Sequence, residues 1–183
     1  MHTEQRLSNK IRLAFFIVLF VVLWNWIGWP YKVRFECSPL NYFVSSTLSF
    51  ALPILALATS FTIRQRLARP TAIVLSGLLI IPFGMYGLLA IMVGYDVIER
   101  GKDFSYEYLK EAETENGIYR LYRTSCGATC EFGLDLRKEI ETPIGIKFVK
   151  SVWSQYRADD AYLVSKGGKV TILFNGNFMA EVE

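Results

Sequence analysis

The chain has 183 residues, a formal net charge of +3 and a mean hydropathy of +0.26, which is high for a water-soluble protein. Residues 1–94 carry eight Lys/Arg and two Asp/Glu, whereas residues 95–183 carry twelve Lys/Arg and fifteen Asp/Glu. The excess positive charge therefore belongs to short segments of the first half, and this pattern gives no support to nucleic-acid binding. The single histidine, His2, stands at the terminus, which leaves no basis for a Ser/His or Cys/His catalytic pair or for a histidine-based zinc site.

Three long apolar stretches occupy the first half of the chain. They cover residues 11–29, 42–63 and 72–94, which are 19, 22 and 23 residues long. About 20 helical residues cross the roughly 30 Å hydrocarbon core of a bilayer. Because all three stretches are apolar on every side, a chain this short has too little protein in which to bury them. The sequence therefore predicts three transmembrane helices, with the lipid bilayer as their partner.

Basic residues are concentrated on one predicted side of the membrane. The connection between the second and third stretches carries Arg64, Arg66 and Arg69, and the segment up to Arg12 adds three more basic residues. The positive-inside rule places both segments in the cytoplasm. Three crossings then place residues 95–183 outside. We expect a bacterial inner-membrane protein with a cytoplasmic N-terminus and a periplasmic C-terminal domain.

Small residues in the third stretch suggest a helix-packing surface. Gly77, Gly84 and Gly87 would allow the close approach of a neighbouring helix, while Pro53 and Pro82 interrupt helix hydrogen bonds. A broken-helix site for a substrate or ion is the alternative interpretation. Ordinary packing is favoured because the stretches contain no acidic, basic or histidine residue apart from Arg12 at one edge, and such residues usually mark ion paths.

Residues 95–116 form a juxtamembrane linker that is rich in charge and tyrosine. Phe104, Tyr108, Leu109 and Ala112 recur at near-helical spacing, which predicts a short helix over Asp103–Glu113 with Asp103 as its N-cap. The remaining acidic residues of the linker are best interpreted as a solvated face.

Residues 117–183 change to the period of β-strands. Phe132, Leu134 and Leu136 alternate with polar residues, and four further segments have strand character. Gly-containing pairs, among them Gly167-Gly168 and Asn175-Gly176, mark tight turns. The predicted fold class is a membrane α-helical region with three transmembrane helices, followed by a small all-β, antiparallel domain outside the membrane.

Two cysteines lie in the predicted connection between two of these strands. Cys126 and Cys130 flank a tight loop, where Cα atoms come within the roughly 4.4–6.8 Å that a disulfide requires. If the domain lies outside the cytoplasm, oxidation is the expected state. We therefore predict a structural disulfide between Cys126 and Cys130.

Other chemistry at these cysteines is less favoured. A dithiol redox site usually has a C-x-x-C spacing at a helix start, whereas the spacing here is longer and strands flank it. A metal site would need Cys37 and an acidic residue to complete the ligand set without histidine. Cys37 falls in the first connection, on the same predicted side, and is a possible third thiol. We expect no metal and no cofactor.

These patterns favour a non-catalytic role at the membrane. The β domain would be presented to a protein partner, or to a second copy of the chain, as an accessory, sensing or protective component. Two alternatives stay open: a thiol–disulfide oxidoreductase that uses Cys126 and Cys130, and an accessory subunit of a transporter or channel.

Mass mapping of the chain under non-reducing conditions, in its native membrane, should recover the peptides of Cys126 and Cys130 joined to each other. A ring this small would stabilise the domain by about 2 kcal/mol, because it restricts the unfolded chain. Recovery of both residues as free thiols would contradict the prediction.

Overall fold

Two units make up the chain, one helical and one built of strands. The computed structural model describes residues 2–63, 65–114, 117–125, 131–158, 160–166, 169–174 and 177–182. The helical unit comprises Met1–Ile27 and Ser38–Glu99, and the β unit comprises Gly28–Cys37 and Arg100–Glu183. The β unit is therefore assembled from two separate segments of the chain.

The helical unit contains three helices that are long and apolar enough to cross a membrane. They are α1 (His2–Ile27), α2 (Ser38–Phe61) and α3 (Ala68–Arg100). Each contains most or all of one apolar stretch of the sequence, and α1 and α3 continue into polar residues at their ends. The prediction of three long apolar helices is thus confirmed.

Local sequence explains where these helices begin and end. Gly28 follows α1 with a φ of +71°, and Gly101 follows α3 with a φ of +67°. This left-handed conformation commonly terminates helices, and glycine adopts it without steric cost. Pro39 lies in the first turn of α2, where its missing N–H would have no helical acceptor.

Polar side chains connect the helices at a few points. Ser60 of α2 and Ser76 of α3 are both buried, and their hydroxyl oxygens lie 2.9 Å apart. At the same end of α2, Arg12 of α1 donates from Nε to Thr62 Oγ1 (3.0 Å) and from Nη2 to the Thr62 carbonyl (3.1 Å). The second bond satisfies a carbonyl just beyond the end of α2, where helices leave acceptors unpaired.

The three glycines singled out in the sequence have different surroundings. A methyl group at Gly87 would lie 2.9 Å from Phe50 Cε2, so Gly87 is in close contact with α2. Gly77 and Gly84 have no atom of another described residue within 4 Å of that position, outside their own helix and chain neighbours. At Gly94, which the sequence did not single out, an added methyl group would lie 3.2 Å from Tyr42 Cβ.

The β unit contains eight strands within the described residues. They are β1 (Lys32–Phe35), β2 (Tyr106–Thr114), β3 (Gly117–Thr124), β4 (Gly133–Glu141), β5 (Ile146–Tyr156), β6 (Tyr162–Lys166), β7 (Lys169–Phe174) and β8 (Asn177–Val182). A five-stranded sheet has the order β1-β5-β4-β3-β2, and a three-stranded sheet has the order β6-β7-β8. All pairs are antiparallel, in agreement with the predicted all-β antiparallel region.

Strand β1 was not predicted from the sequence. It belongs to the connection between α1 and α2 but pairs with β5, with Val33 opposite Phe148 and Phe35 opposite Ile146. Its four residues alternate between basic and apolar side chains, which is the strand period. The signal is too short to separate from a loop without its partner strand.

The helix predicted over Asp103–Glu113 is wrong, because β2 occupies most of this segment. The pairing of β2 with β3 contains a bulge between Tyr108 and Lys110. A bulge adds one residue to a strand, so Leu109 and Ala112, three positions apart, both pack on the core. This spacing imitates a helical pattern. Asp103 accepts a hydrogen bond from the backbone N–H of Ser105 (3.0 Å) and forms a turn before β2.

The two sheets share one hydrophobic core. Tyr119, Leu121, Leu134 and Leu136 extend from one face of the five-stranded sheet and are at most 1% exposed. They form a cluster with buried residues of the other sheet, namely Val170 and Ile172. Sheets that pack face to face in this way exclude water from both inner faces. Between the sheets, Lys110 Nζ donates to Asp160 Oδ1 (2.9 Å) and to the Ala161 carbonyl (3.0 Å).

Replacement of Gly87 by Leu should destabilise the contact between α2 and α3, since the new side chain would overlap the Phe50 ring. Overpacking of this kind costs about 1–3 kcal/mol. Thermal unfolding of the detergent-solubilised chain measures the change, and Gly84→Leu is the matched control in an open position of the same helix. An equal loss of stability in both variants would contradict the assignment of Gly87 as the packing position.

Candidate functional site

One face of the five-stranded sheet carries a network of charged and aromatic side chains, which we call the polar face. Its centre is Glu139 on β4, a carboxylate that is only 3% exposed. Arg120 Nη1 donates to Glu139 Oε2 (2.7 Å), and the Tyr122 hydroxyl donates to Glu139 Oε1 (2.7 Å). Lys147 Nζ lies 3.6 Å from Glu139 Oε2. Both carboxylate oxygens therefore have a partner, as burial of a charge requires.

Arg120 links three acidic residues on two different strands. Besides Glu139, it contacts Glu111 on β2 (3.2 Å) and Glu141 on β4 (2.6 Å). Burial acts to lower the pKa of Arg120, but its hydrogen bonds to these carboxylates outweigh that effect and raise the pKa above its ordinary value. The guanidinium is thus held as a charged group that bridges β2, β3 and β4.

A second basic side chain is enclosed by aromatic rings. Arg137 lies 4.1 Å from the ring centroid of Tyr106 and 5.1 Å from that of Tyr122, within the usual distance for cation–π contacts. Its Nε donates to Asp135 Oδ2 (2.6 Å), and Ser151 Oγ donates to the other oxygen of Asp135 (2.5 Å). Burial, followed by the hydrogen bond to Glu139, raises the pKa of Tyr122.

The groups of the polar face are therefore paired with one another. General acid–base catalysis needs a group whose pKa lies near the working pH and that can reach a substrate. Here the pKa values of Tyr122, Arg120 and Arg137 are raised further from neutrality. The arrangement is suited to holding neighbouring strands in register. Among the described residues there is no group of three His, Cys, Asp or Glu side chains that could hold a metal ion.

The outer face of the three-stranded sheet is a different kind of surface. Tyr162, Leu173 and Phe178 are aligned across β6, β7 and β8, as their pairing shows, and Val164 lies beside them. Tyr162 is 64% exposed and Phe178 is 62% exposed. Beyond this row, Lys169 and Glu181 form an exposed ion pair (2.9 Å). We call Tyr162, Val164, Leu173 and Phe178 the outer patch.

The cysteines chosen from the sequence are only partly covered by the structure. Cys126 and Cys130 lie outside the described residues, so the structure gives no geometry for a disulfide between them. The strands on either side are described: Thr124 at the end of β3 pairs with Gly133 at the start of β4. Cys37 is exposed and lies between β1 and α2.

Of the arginines that are predicted to determine topology, Arg66 lies between α2 and α3 and Arg69 lies in the first turn of α3. Arg66 and Arg69 are exposed, and the Arg69 guanidinium carbon lies 5.8 Å from the ring centroid of Phe61. Arg64 lies outside the described residues. The polar face and the outer patch were both missed in the sequence, although the alternation of Arg120 and Tyr122 with buried residues is visible there. Which of these side chains meet depends on strand register.

The chain matches no protein-family model, and comparison with curated proteins and with solved structures finds no match either. The geometry of the described residues is therefore the basis for a functional proposal.

Acid should weaken the polar face through Glu141, whose pKa is lowered from 4.5 by hydrogen bonds from Arg120 and Lys147. A carboxylate with a lowered pKa stabilises the fold above its unfolded-state value, and this stabilisation is lost as the pH falls. Hydrogen-exchange protection of β3 and β4 peptides should therefore decrease below about pH 4.5.

The variant Glu141→Gln should show a smaller decrease in protection over the same pH range, because it has no carboxylate to protonate. Glu113→Gln serves as the matched control on β2 and should follow the unmodified protein. A Glu141→Gln profile that follows the unmodified protein would contradict this role for Glu141.

Proposed function

We propose that this chain is an integral protein of a bacterial inner membrane, and that it presents its β unit in the periplasm to a protein partner. Its role in this proposal is accessory, sensing or protective and does not involve catalysis. The observation that carries the proposal is the exposed outer patch on a sheet whose other face is already buried in the core.

The helices support the membrane location. Large apolar side chains are exposed along their length; in α3, for example, Leu78 is 61% exposed and Met85 is 62% exposed. In water, such helices would expose large apolar surfaces, which is unfavourable, whereas the hydrocarbon core of a bilayer is itself apolar and covers them. Their backbone groups are hydrogen-bonded within each helix, as a bilayer requires.

Strand pairing supports the proposed number of crossings. Because β1 pairs with β5, the connection between α1 and α2 must be on the same side of the membrane as the segment that follows α3. Three crossings satisfy this condition, since both segments then follow an odd number of spans. The exposed Arg66 and Arg69 are on the opposite side in this topology, which agrees with the positive-inside rule.

The geometry of the hairpin between β3 and β4 supports the proposed disulfide. Thr124 and Gly133 are directly opposed in the ladder, and opposed residues in antiparallel strands have Cα atoms about 4.5–5.5 Å apart. Cys126 comes two positions after Thr124, and Cys130 comes three positions before Gly133. The short connection therefore begins and ends at neighbouring points, which favours closure by a disulfide.

The outer patch has the composition of a protein-binding surface. Aromatic residues are enriched in such surfaces, and Tyr162 and Phe178 provide two of them beside the aliphatic Val164 and Leu173. The Tyr162 ring is held by Lys110, whose Nζ lies 4.3 Å from the ring centroid. The aromatic side chain is thereby ordered before binding, which reduces the entropy lost on association.

A photo-crosslinking amino acid at Val164, in the full chain in its native membrane, should form an adduct with a different protein. Two charges in the patch, Leu173→Glu and Phe178→Glu together, should remove the adduct while the protein stays abundant, because burial of an unpaired carboxylate opposes binding. The same photo-reactive residue at Glu107, which lies on the other sheet and is exposed, is the matched control.

Equal adducts from positions 164 and 107 would contradict the patch as a specific docking surface. An adduct that contains only a second copy of the chain would replace the separate partner by a homo-oligomer.

A further inference from the structure

The three-stranded sheet covers only part of the apolar face that it packs against. The shared core includes residues of β2, β3 and β4, but the β1 edge of the five-stranded sheet extends beyond it. On that uncovered part, Ile140, Phe148 and Val33 form one row across β4, β5 and β1. Ile140 is 40% exposed and Phe148 is 38% exposed.

A further apolar residue, Ile144 in the turn between β4 and β5, is 78% exposed. We call Val33, Ile140, Ile144 and Phe148 the edge patch. It is separate from the outer patch, which belongs to the other sheet.

Basic side chains border the edge patch. Lys138 and Lys150 are opposed in the next row of the same face, and Lys150 is exposed. An apolar surface bordered by lysines has the composition of segments that bind at a bilayer surface, where anionic headgroups attract the charges.

Covalent connections limit how far the edge patch can move from the helices. Only Glu36 and Cys37 separate β1 from α2, so Phe35 and Ser38 are at most about 10 Å apart. Neighbouring strands are spaced by about 4.8 Å, which places the β5 and β4 members of the patch roughly 5 and 10 Å from β1. If α2 crosses a bilayer, the patch is within reach of its interface.

We propose that the edge patch binds the interface of the lipid bilayer, with its apolar side chains at the boundary between headgroups and acyl chains and its basic residues at anionic headgroups. This inference rests on the proposed membrane location but not on the proposed protein partner.

Paramagnetic relaxation of isoleucine methyl groups tests the proposal in the full chain, reconstituted in nanodiscs that contain phosphatidylglycerol. A gadolinium chelate attached to lipid headgroups should broaden the methyl signals of Ile140 and Ile144, since interfacial side chains lie only about 5–10 Å deep. A soluble chelate should broaden them less than other exposed methyl groups. Ile172, in the core between the sheets, is the internal control.

Two outcomes would overturn the proposal. Broadening by the soluble chelate without broadening by the lipid chelate would show that the patch faces water. Protection from both agents would show that protein covers it, either another chain or a second copy.

A pair of variants checks that the patch itself makes the contact. Ile144→Glu places a charge at a position that is already largely exposed, so folding should be unaffected and the lipid-induced broadening at Ile140 should be reduced. Val164→Glu, on the other sheet, should leave that broadening unchanged. Equal behaviour of the two variants would contradict a specific lipid contact at the edge patch.

Discussion

The pairing of β1 with β5 is the constraint on which the arrangement of this protein depends. Four residues from the connection between two apolar helices complete a sheet whose other strands come from residues 106–156. The β unit is therefore attached to the helical unit through both ends of β1 as well as through the end of α3.

The second constraint is the separation of charge from apolar surface. The helices carry few ionisable side chains, and the one at the edge of the first apolar stretch, Arg12, donates hydrogen bonds to Thr62. In the β unit, by contrast, the polar face holds a buried carboxylate, Glu139, between Arg120, Tyr122 and Lys147. Removal of one partner from such a set would leave an uncompensated buried charge and would destabilise the fold.

Within the described part of the β unit, each sheet has an apolar surface that is at least partly exposed. The edge patch includes residues of β1, β4 and β5, which are neighbours in the five-stranded sheet. The outer patch lies on the face of the three-stranded sheet that is turned away from the shared core.

Part of the fold could be predicted because its signals are local. Uninterrupted apolar stretches predict three helices without reference to neighbours, and the alternation of Phe132, Leu134 and Leu136 with polar residues predicts a strand. The helix expected over Asp103–Glu113 was wrong because a bulge beside Leu109 gives a strand a three-residue apolar spacing. The four-residue β1 was missed because a short alternating segment becomes a strand only when a partner supplies its hydrogen bonds.

The sequence by itself determined which part of the chain forms long apolar helices and which part forms alternating strands, since hydropathy and period are properties of consecutive residues. Only the tertiary structure decided which residues meet across distant segments. Gly87, but not Gly84, is in close contact with α2; Glu139 is enclosed by three partners; and Val33 pairs with Phe148. The reason is physical: strand register and helix rotation are fixed by the packing of whole elements. In a strand, a shift of the register by one residue would turn every side chain to the other face of the sheet.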